Sequence, residues 1–239
     1  MIVKIELRKL KRTGYVPVFL VGTAAASAFP VIDMAARNEA YISQSGNPFV
    51  ILLNADWQMM AMINILLAVC GACIMYHTEY AQNGAQKMAL LPIRPEKPFW
   101  GKAFIAAAIS ALMLPVELLT VAGCASFWFS DYKPEPLELL ENWGFSFLML
   151  LPTIMLMLAI SSMCRNMWIS LGIGVILVFT LSIFPQDILF FRLCPFSAPY
   201  QILETVRTEG YPTLFSGVCI AEAACFGASE HIYLKIACK

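Results

Sequence analysis

The sequence predicts an all-α integral membrane protein with six transmembrane helices, and three observations lead there. Hydrophobic residues make up 59% of the 239 positions and charged residues only 13%, with a mean hydropathy of +0.71. A single soluble core of this chain length has no room for so much apolar surface. The apolar residues also fall in runs of about 20, the length a helix needs to cross the hydrocarbon core of a bilayer. Lysine and arginine, finally, concentrate in alternate segments between those runs, as they do in proteins sorted by the positive-inside rule.

The amino-terminal segment 1–12 carries Lys4, Arg8, Lys9, Lys11 and Arg12, with Ile2, Ile5 and Leu10 near helical spacing. This pattern predicts a short amphipathic helix lying at the membrane surface with its basic residues among the headgroups. A solvated basic tail that only sets topology is the alternative. Spans are expected over about 14–36, 56–78, 103–129, 143–163, 167–185 and 211–233. The first apolar run is too long for a signal-peptide core and is expected to remain in the protein. Pro30 predicts a kink near its outer end. Arg37 to Ser45 reads as a polar loop. Pro48 to Ala55 is apolar but too short to cross, so it either lengthens the second span or dips into the interface. An acidic loop, DYKPEPLELLEN, separates the third and fourth spans, and Cys164-Arg165-Asn166 separates the fourth and fifth.

Before the last span, residues 186–210 hold Leu189, Phe190, Phe191 and Leu193, then Pro195 and Pro199. So apolar a connection is either an interfacial or re-entrant element or a lid over helix ends. Orientation follows from the basic residues. With the amino terminus inside, the inner segments hold the five of the tail, Lys87, Arg94, Lys97, Lys102, Arg165, Lys235 and Lys239, and the outer segments only Arg37, Lys133, Arg192 and Arg207. Both termini are therefore expected in the cytoplasm.

Few residues invite chemistry. Glu117 and Glu222 fall in mid-span, where a charge costs at least about 2.5 to 3.5 kcal/mol on insertion scales, so each lines a pathway or locks helices together. Neither has a lysine or arginine at its own depth. Asp33 and Asp56 sit near outer helix ends and are expected to be solvated. The two histidines, His77 and His231, do not make a metal or haem site, and most of the eight cysteines read as apolar packing residues. Gly172, Gly174 and Ala106 to Ala108 suggest close helix contact. The sequence has no GxxxxGK[ST] phosphate loop, so the chain is not expected to hydrolyse nucleotide by itself.

The stretch from Glu79 to Lys102, EYAQNGAQKMALLPIRPEKPFWGK, interrupts the apolar runs with Lys87, Arg94, Lys97 and Lys102. It predicts a short cytoplasmic helix ended by Pro92, with Met88, Leu90, Leu91 and Phe99 in need of a partner; a plain membrane-surface loop is the alternative. The order Glu79, Gly84, Lys87, Leu90 with Leu91, Pro92, Arg94, Gly101 and Lys102 resembles the first cytoplasmic loop of type-2 ABC transporter permeases. The resemblance is greatest to the six-span permeases of lantibiotic and bacteriocin immunity systems. The family's usual threonine after the glycine is Ala85 here, and CPFSAPY from Cys194 to Tyr200 is similar to its proline and aromatic segment before the last span.

The resemblance implies one permease domain over 1–239, with an elbow helix at 1–12 and a coupling helix within 79–102. It implies a separate dimeric ABC ATPase that binds ATP and magnesium, a second permease subunit of the same or homologous sequence, and no cofactor or nucleic acid on this chain. The expected activity is removal of a lantibiotic-like antimicrobial peptide from the bacterial membrane, giving immunity. The acidic outer loop suits a cationic peptide. Export of another amphiphile, a drug or a lipid, and an intramembrane enzyme built on Glu117 and Glu222 are the alternatives.

Overall fold

The computed structural model describes residues 2–11, 13–80, 96–130, 132–164, 166–183 and 188–237. They form α1 (Ile2–Leu10), α2 (Tyr15–Ile42), α3 (Pro48–Tyr80), α4 (Glu96–Trp128), α5 (Pro136–Met163), α6 (Met167–Ile183), the short α7 (Leu189–Arg192), a 3-10 turn (Ala198–Tyr200), α8 (Leu203–Thr208) and α9 (Pro212–Ala237). Gly14, at φ +74°, turns the chain from α1 into α2 in the left-handed region that favours glycine.

Several helices outrun the spans expected of them. The stretch after Arg37 is helix to Ile42 rather than loop, with a break at Arg37 (φ −139°, ψ 31°). Arg37 reaches back one turn to Asp33, and Tyr41 reaches the same carboxylate, so three polar residues support one another along a helix face. Pro48 to Ala55 lengthens α3. Most of the acidic segment is also helical, because Pro136 starts α5 at a position where its missing N–H costs nothing.

Among the described residues, five helices, α2, α3, α4, α5 and α9, are long and apolar enough to cross a membrane. The remaining expected span, α6, has 17 residues, about 26 Å at 1.5 Å per residue, slightly under a core about 30 Å thick.

The bundle is built around α3, which packs against α2, α4, α5, α6 and the 3-10 turn. In its apolar window 67% of residues are buried, against 17% in α9, which makes α3 the pillar and α9 the periphery. Close approach depends on small residues. A Cβ at Gly174 would lie 2.5 Å from Val69 and 3.0 Å from Met157, whereas one at Gly172 would meet nothing within 4 Å. Cys73, Ser161 and Ser170 join α3, α5 and α6 in a buried cluster, with Ser161 and Ser170 hydroxyls 2.7 Å apart and the Cys73 thiol 3.3 Å from Ser170.

Hydrogen bonds across the bundle identify its two ends. Tyr80, at the end of α3, donates to the Ser162 carbonyl, and the Ser162 hydroxyl donates to Glu230 near the end of α9. Because α1 packs on α4 and α3 at this same end, both chain ends lie on one face. At the opposite end, the Trp57 indole donates to the Pro199 carbonyl at 3.0 Å and Thr153 donates to the Pro195 carbonyl. Phe196 and Ala198 are buried there. The part of the apolar segment from Pro195 to Tyr200 is thus a lid seated on α3 and α5, whereas Leu189 and Phe190 ahead of it stay exposed.

The two glycines of α6 should separate in experiment. Gly174→Ala is expected to destabilise the protein by about 1 to 3 kcal/mol through overpacking against Val69. Gly172→Ala should be neutral or stabilise by about 0.5 to 1 kcal/mol, because it removes backbone freedom in a helix interior. Thermal unfolding in detergent of both variants checks this.

Candidate functional site

A buried network of four charges joins α1 to the last turn of α3 and the start of α4. Lys102, with only 1% of its side chain exposed, places Nζ 2.5 Å from Glu79 Oε1 and 3.0 Å from Glu6 Oε2. Lys9 Nζ lies 2.6 Å from Glu6 Oε1 and 3.0 Å from Glu79 Oε1. Two cations and two carboxylates alternate, so the cluster is neutral as a whole. A low-dielectric site tolerates charges only when each is paired and hydrogen-bonded. The Tyr76 ring adds a face 5.1 Å from the Lys102 ammonium. Burial works against the charged form of Lys9, but hydrogen bonds and attraction from Glu6 and Glu79 outweigh it and hold its pKa above the ordinary 10.5.

Local sequence explains how α1 enters the network. Glu6, Lys9 and Leu10 share one face at helical spacing, and Glu6 and Leu10 are buried while Lys4, Arg8 and Lys11 are exposed. The expectation that all the basic residues lie among headgroups is therefore corrected at Lys9, which turns inward. Glu6 was missed by the sequence reading. The available signal was the lone acid of a basic tail, three residues before a lysine.

Of the residues singled out between the second and third spans, Glu79 and Lys102 meet directly, and Gly101 is buried beside Lys102 in α4. Phe99, expected to need a partner, is 1% exposed and finds its cover within this chain. Gly84, Lys87, Leu90, Leu91, Pro92 and Arg94 lie outside the described residues, as does the coupling helix expected there.

The mid-span carboxylates go to different neighbours. Glu117 is fully buried, and Asn64 of α3 donates to its Oε2 at 2.7 Å. A neutral amide thus supplies the partner that no lysine or arginine could. Glu117 Oε1 and Glu222 Oε2 are buried without a hydrogen-bond partner among the described residues, so the hydrogen bonds do not bring the two glutamates together. Asp56 is 6% exposed rather than solvated, because α3 is covered on this side. Asp33 is only partly exposed, with 12% of its side chain accessible, and its carboxylate is taken up by Arg37 and Tyr41 instead of water.

A family model described as ABC-2 family transporter protein matches residues 2–181, well over half of the chain. The chain belongs to this family. As an ABC-2 protein it is a permease subunit of an ABC transporter, a membrane component that is not itself catalytic and works with an ABC ATPase. The matched stretch includes Glu6, Lys9, Glu79, Lys102 and Glu117 but stops before Glu222. Neither a curated protein nor a solved structure matches this ABC-2 protein.

Two predictions follow from the network. Lys102→Met should cost about 3 to 5 kcal/mol in unfolding experiments, because it leaves buried carboxylates without their cation. Lys97→Met, at an exposed position of the same helix, should stay within about 0.5 kcal/mol. The second concerns alkaline pH. A raised lysine pKa contributes stability that is present below the unfolded value and lost as pH rises through the folded one. The emission of a fluorophore on α1 should accordingly stay constant from neutral pH to near 10.5 and report detachment only above it.

Proposed function

We propose that this permease subunit serves an exporter that removes a lantibiotic-like antimicrobial peptide from the bacterial cytoplasmic membrane, giving immunity or resistance. In this reading the chain crosses six times with both termini cytoplasmic, and the segment 79–102 docks on a dimeric ATPase that binds ATP and magnesium. A second permease, of the same or homologous sequence, completes the pathway. The observation that carries the docking role is the charge network, which ties α1 to both helix ends flanking this segment. A force applied between Glu79 and Lys102 would reach α1, α3 and α4 together. Six crossings are supported by the course of α6, whose Ser170 meets Ser161 and Cys73 near one end of the bundle while Ser182 shares a cavity with Asn54 near the other.

An amphiphilic cargo is supported by an apolar cleft of about 300 Å³ between α4 and α5, lined by Leu118, Leu119, Leu139, Leu140 and Trp143. The same cleft favours a second reading, export of a drug or lipid, because its lining offers little that would select a peptide. The acidic segment is less free for a cationic cargo than its sequence suggests. Glu138 accepts from Asn47 and Tyr132, and Glu141 pairs with Arg207, so among the described residues of that segment Glu135 is the exposed carboxylate without an ion pair.

Affinity purification of the intact protein from its native membrane should recover an ABC ATPase, and Arg94→Glu should lose it. Recovery of this chain alone in both cases contradicts the docking role. In a strain expressing the chain with that ATPase, resistance to membrane-active peptides and not to small lipophiles is expected; the reverse pattern selects the second reading.

A further inference from the structure

At the lid end of the bundle, a polar cavity of about 310 Å³ lies between α3, the end of α6, the 3-10 turn and α8. Its walls include Asn54, Gln58, Ser182, Arg192, Tyr200 and Glu209. This is within the size of small-ligand sites. Arg192 is held in place on three sides: Nε donates to Gln201 Oε1 at 2.8 Å, Nη1 donates to Glu209 Oε2 at 2.6 Å, and the guanidinium lies 5.2 Å from the Phe215 ring. Its side chain is 11% exposed while that of Glu209 is 37% exposed, so a fixed cation and a more open anion stand side by side. The Tyr200 hydroxyl is buried with no hydrogen-bond partner among the described residues. Tyr200 contributes its ring to the wall, while its hydroxyl has no accessible surface of its own.

The sequence neighbours of two wall residues, Ser182 and Arg192, are of the opposite character. Ile183, Ile188, Leu189 and Phe190 are exposed apolar residues at the ends of the segments that border the cavity. A polar pocket edged by apolar surface matches an amphiphile whose head enters the pocket and whose chains lie outside in lipid.

We propose that this cavity binds the headgroup of a phosphoethanolamine lipid. The phosphate would take the Arg192 guanidinium, as phosphates prefer arginine donors, and the primary ammonium would donate to Glu209 and to the side-chain carbonyls of Asn54 or Gln58. A choline head has no N–H for those acceptors, and a glycerol head has no cation for Glu209. The site stands whatever the exporter's cargo, and it needs no ATPase.

The test is native mass spectrometry of the full-length protein, purified alone and equilibrated with equimolar phosphatidylethanolamine, phosphatidylcholine and phosphatidylglycerol. Retention of phosphatidylethanolamine at least about tenfold over the others is expected, the factor that one charge-assisted hydrogen bond supplies. Arg192→Gln should abolish the preference. So should the pair Asn54→Leu with Gln58→Leu, which changes exposed positions of α3 and leaves the lid contacts of Arg192 intact. Equal retention of the three lipids, or a preference that survives both variants, overturns the site. Free phosphoethanolamine should fail to displace the lipid; if it competes as well as the lipid itself does, the ligand is a soluble zwitterion and the lipid assignment is wrong.

Discussion

One buried ammonium sets how α1, α3 and α4 meet. Lys102 cannot sit 1% exposed at the start of α4 unless carboxylates meet it, and the two that do come from α1 and from the last turn of α3. Its desolvation is offset only while Glu6 and Glu79 are both in place, so the position of α1 and the spacing of two helix ends are fixed by a single electrostatic requirement. Lys9 closes the arrangement by giving the second carboxylate charge its own counterion. An amphipathic helix held only by headgroups would float along the membrane surface; this one is pinned.

The second constraint is the crowding around α3. A helix buried on most of its faces must offer small residues where neighbours cross and must satisfy any polar group it carries. Gly71 admits Phe19 and Tyr15, Val69 fills the space left by Gly174, and Asn64 meets Glu117. The indole of Trp57 then anchors the lid through Pro199. The charged network at one end and the lid at the other are therefore attached to the same pillar. A displacement of the Glu79 end of α3 has a rigid path to the far side.

The helices were legible because about 20 apolar residues in a row leave a bilayer little else to accept. Their ends were less so. Hydropathy marks where a helix leaves the hydrocarbon, whereas α2 persists past Arg37 through the Asp33, Arg37 and Tyr41 stripe and α5 begins early at Pro136, both in polar sequence. The segment expected to dock an ATPase was singled out by Glu79, Pro92, Arg94 and Lys102, but the pairing of its two ends was not foreseen. Lys102 meets a residue 96 positions earlier, and no local spacing reveals that contact. Glu6 was hidden by the five basic residues around it, and Asn64 by lying in an apolar run where a neutral amide draws less notice than a charge. The lid was ambiguous because its aromatics fit both an interface and a cover; Trp57, 142 residues before Pro199, fixes the second half as cover, while Phe190 keeps an exposed apolar face.

The proposed docking role requires that the charge network hold the segment between Glu79 and Lys102 in position to engage an ATPase. Site-specific photocrosslinking tests it most directly, with a photoreactive residue at position 87 in native membranes, in the wild-type background and with Glu6→Gln. A crosslink to an ABC ATPase is expected, with a yield that drops when Glu6 loses its charge at equal amounts of permease in the membrane. An ATPase crosslink of unchanged yield in Glu6→Gln, or no ATPase crosslink in either background, would contradict it.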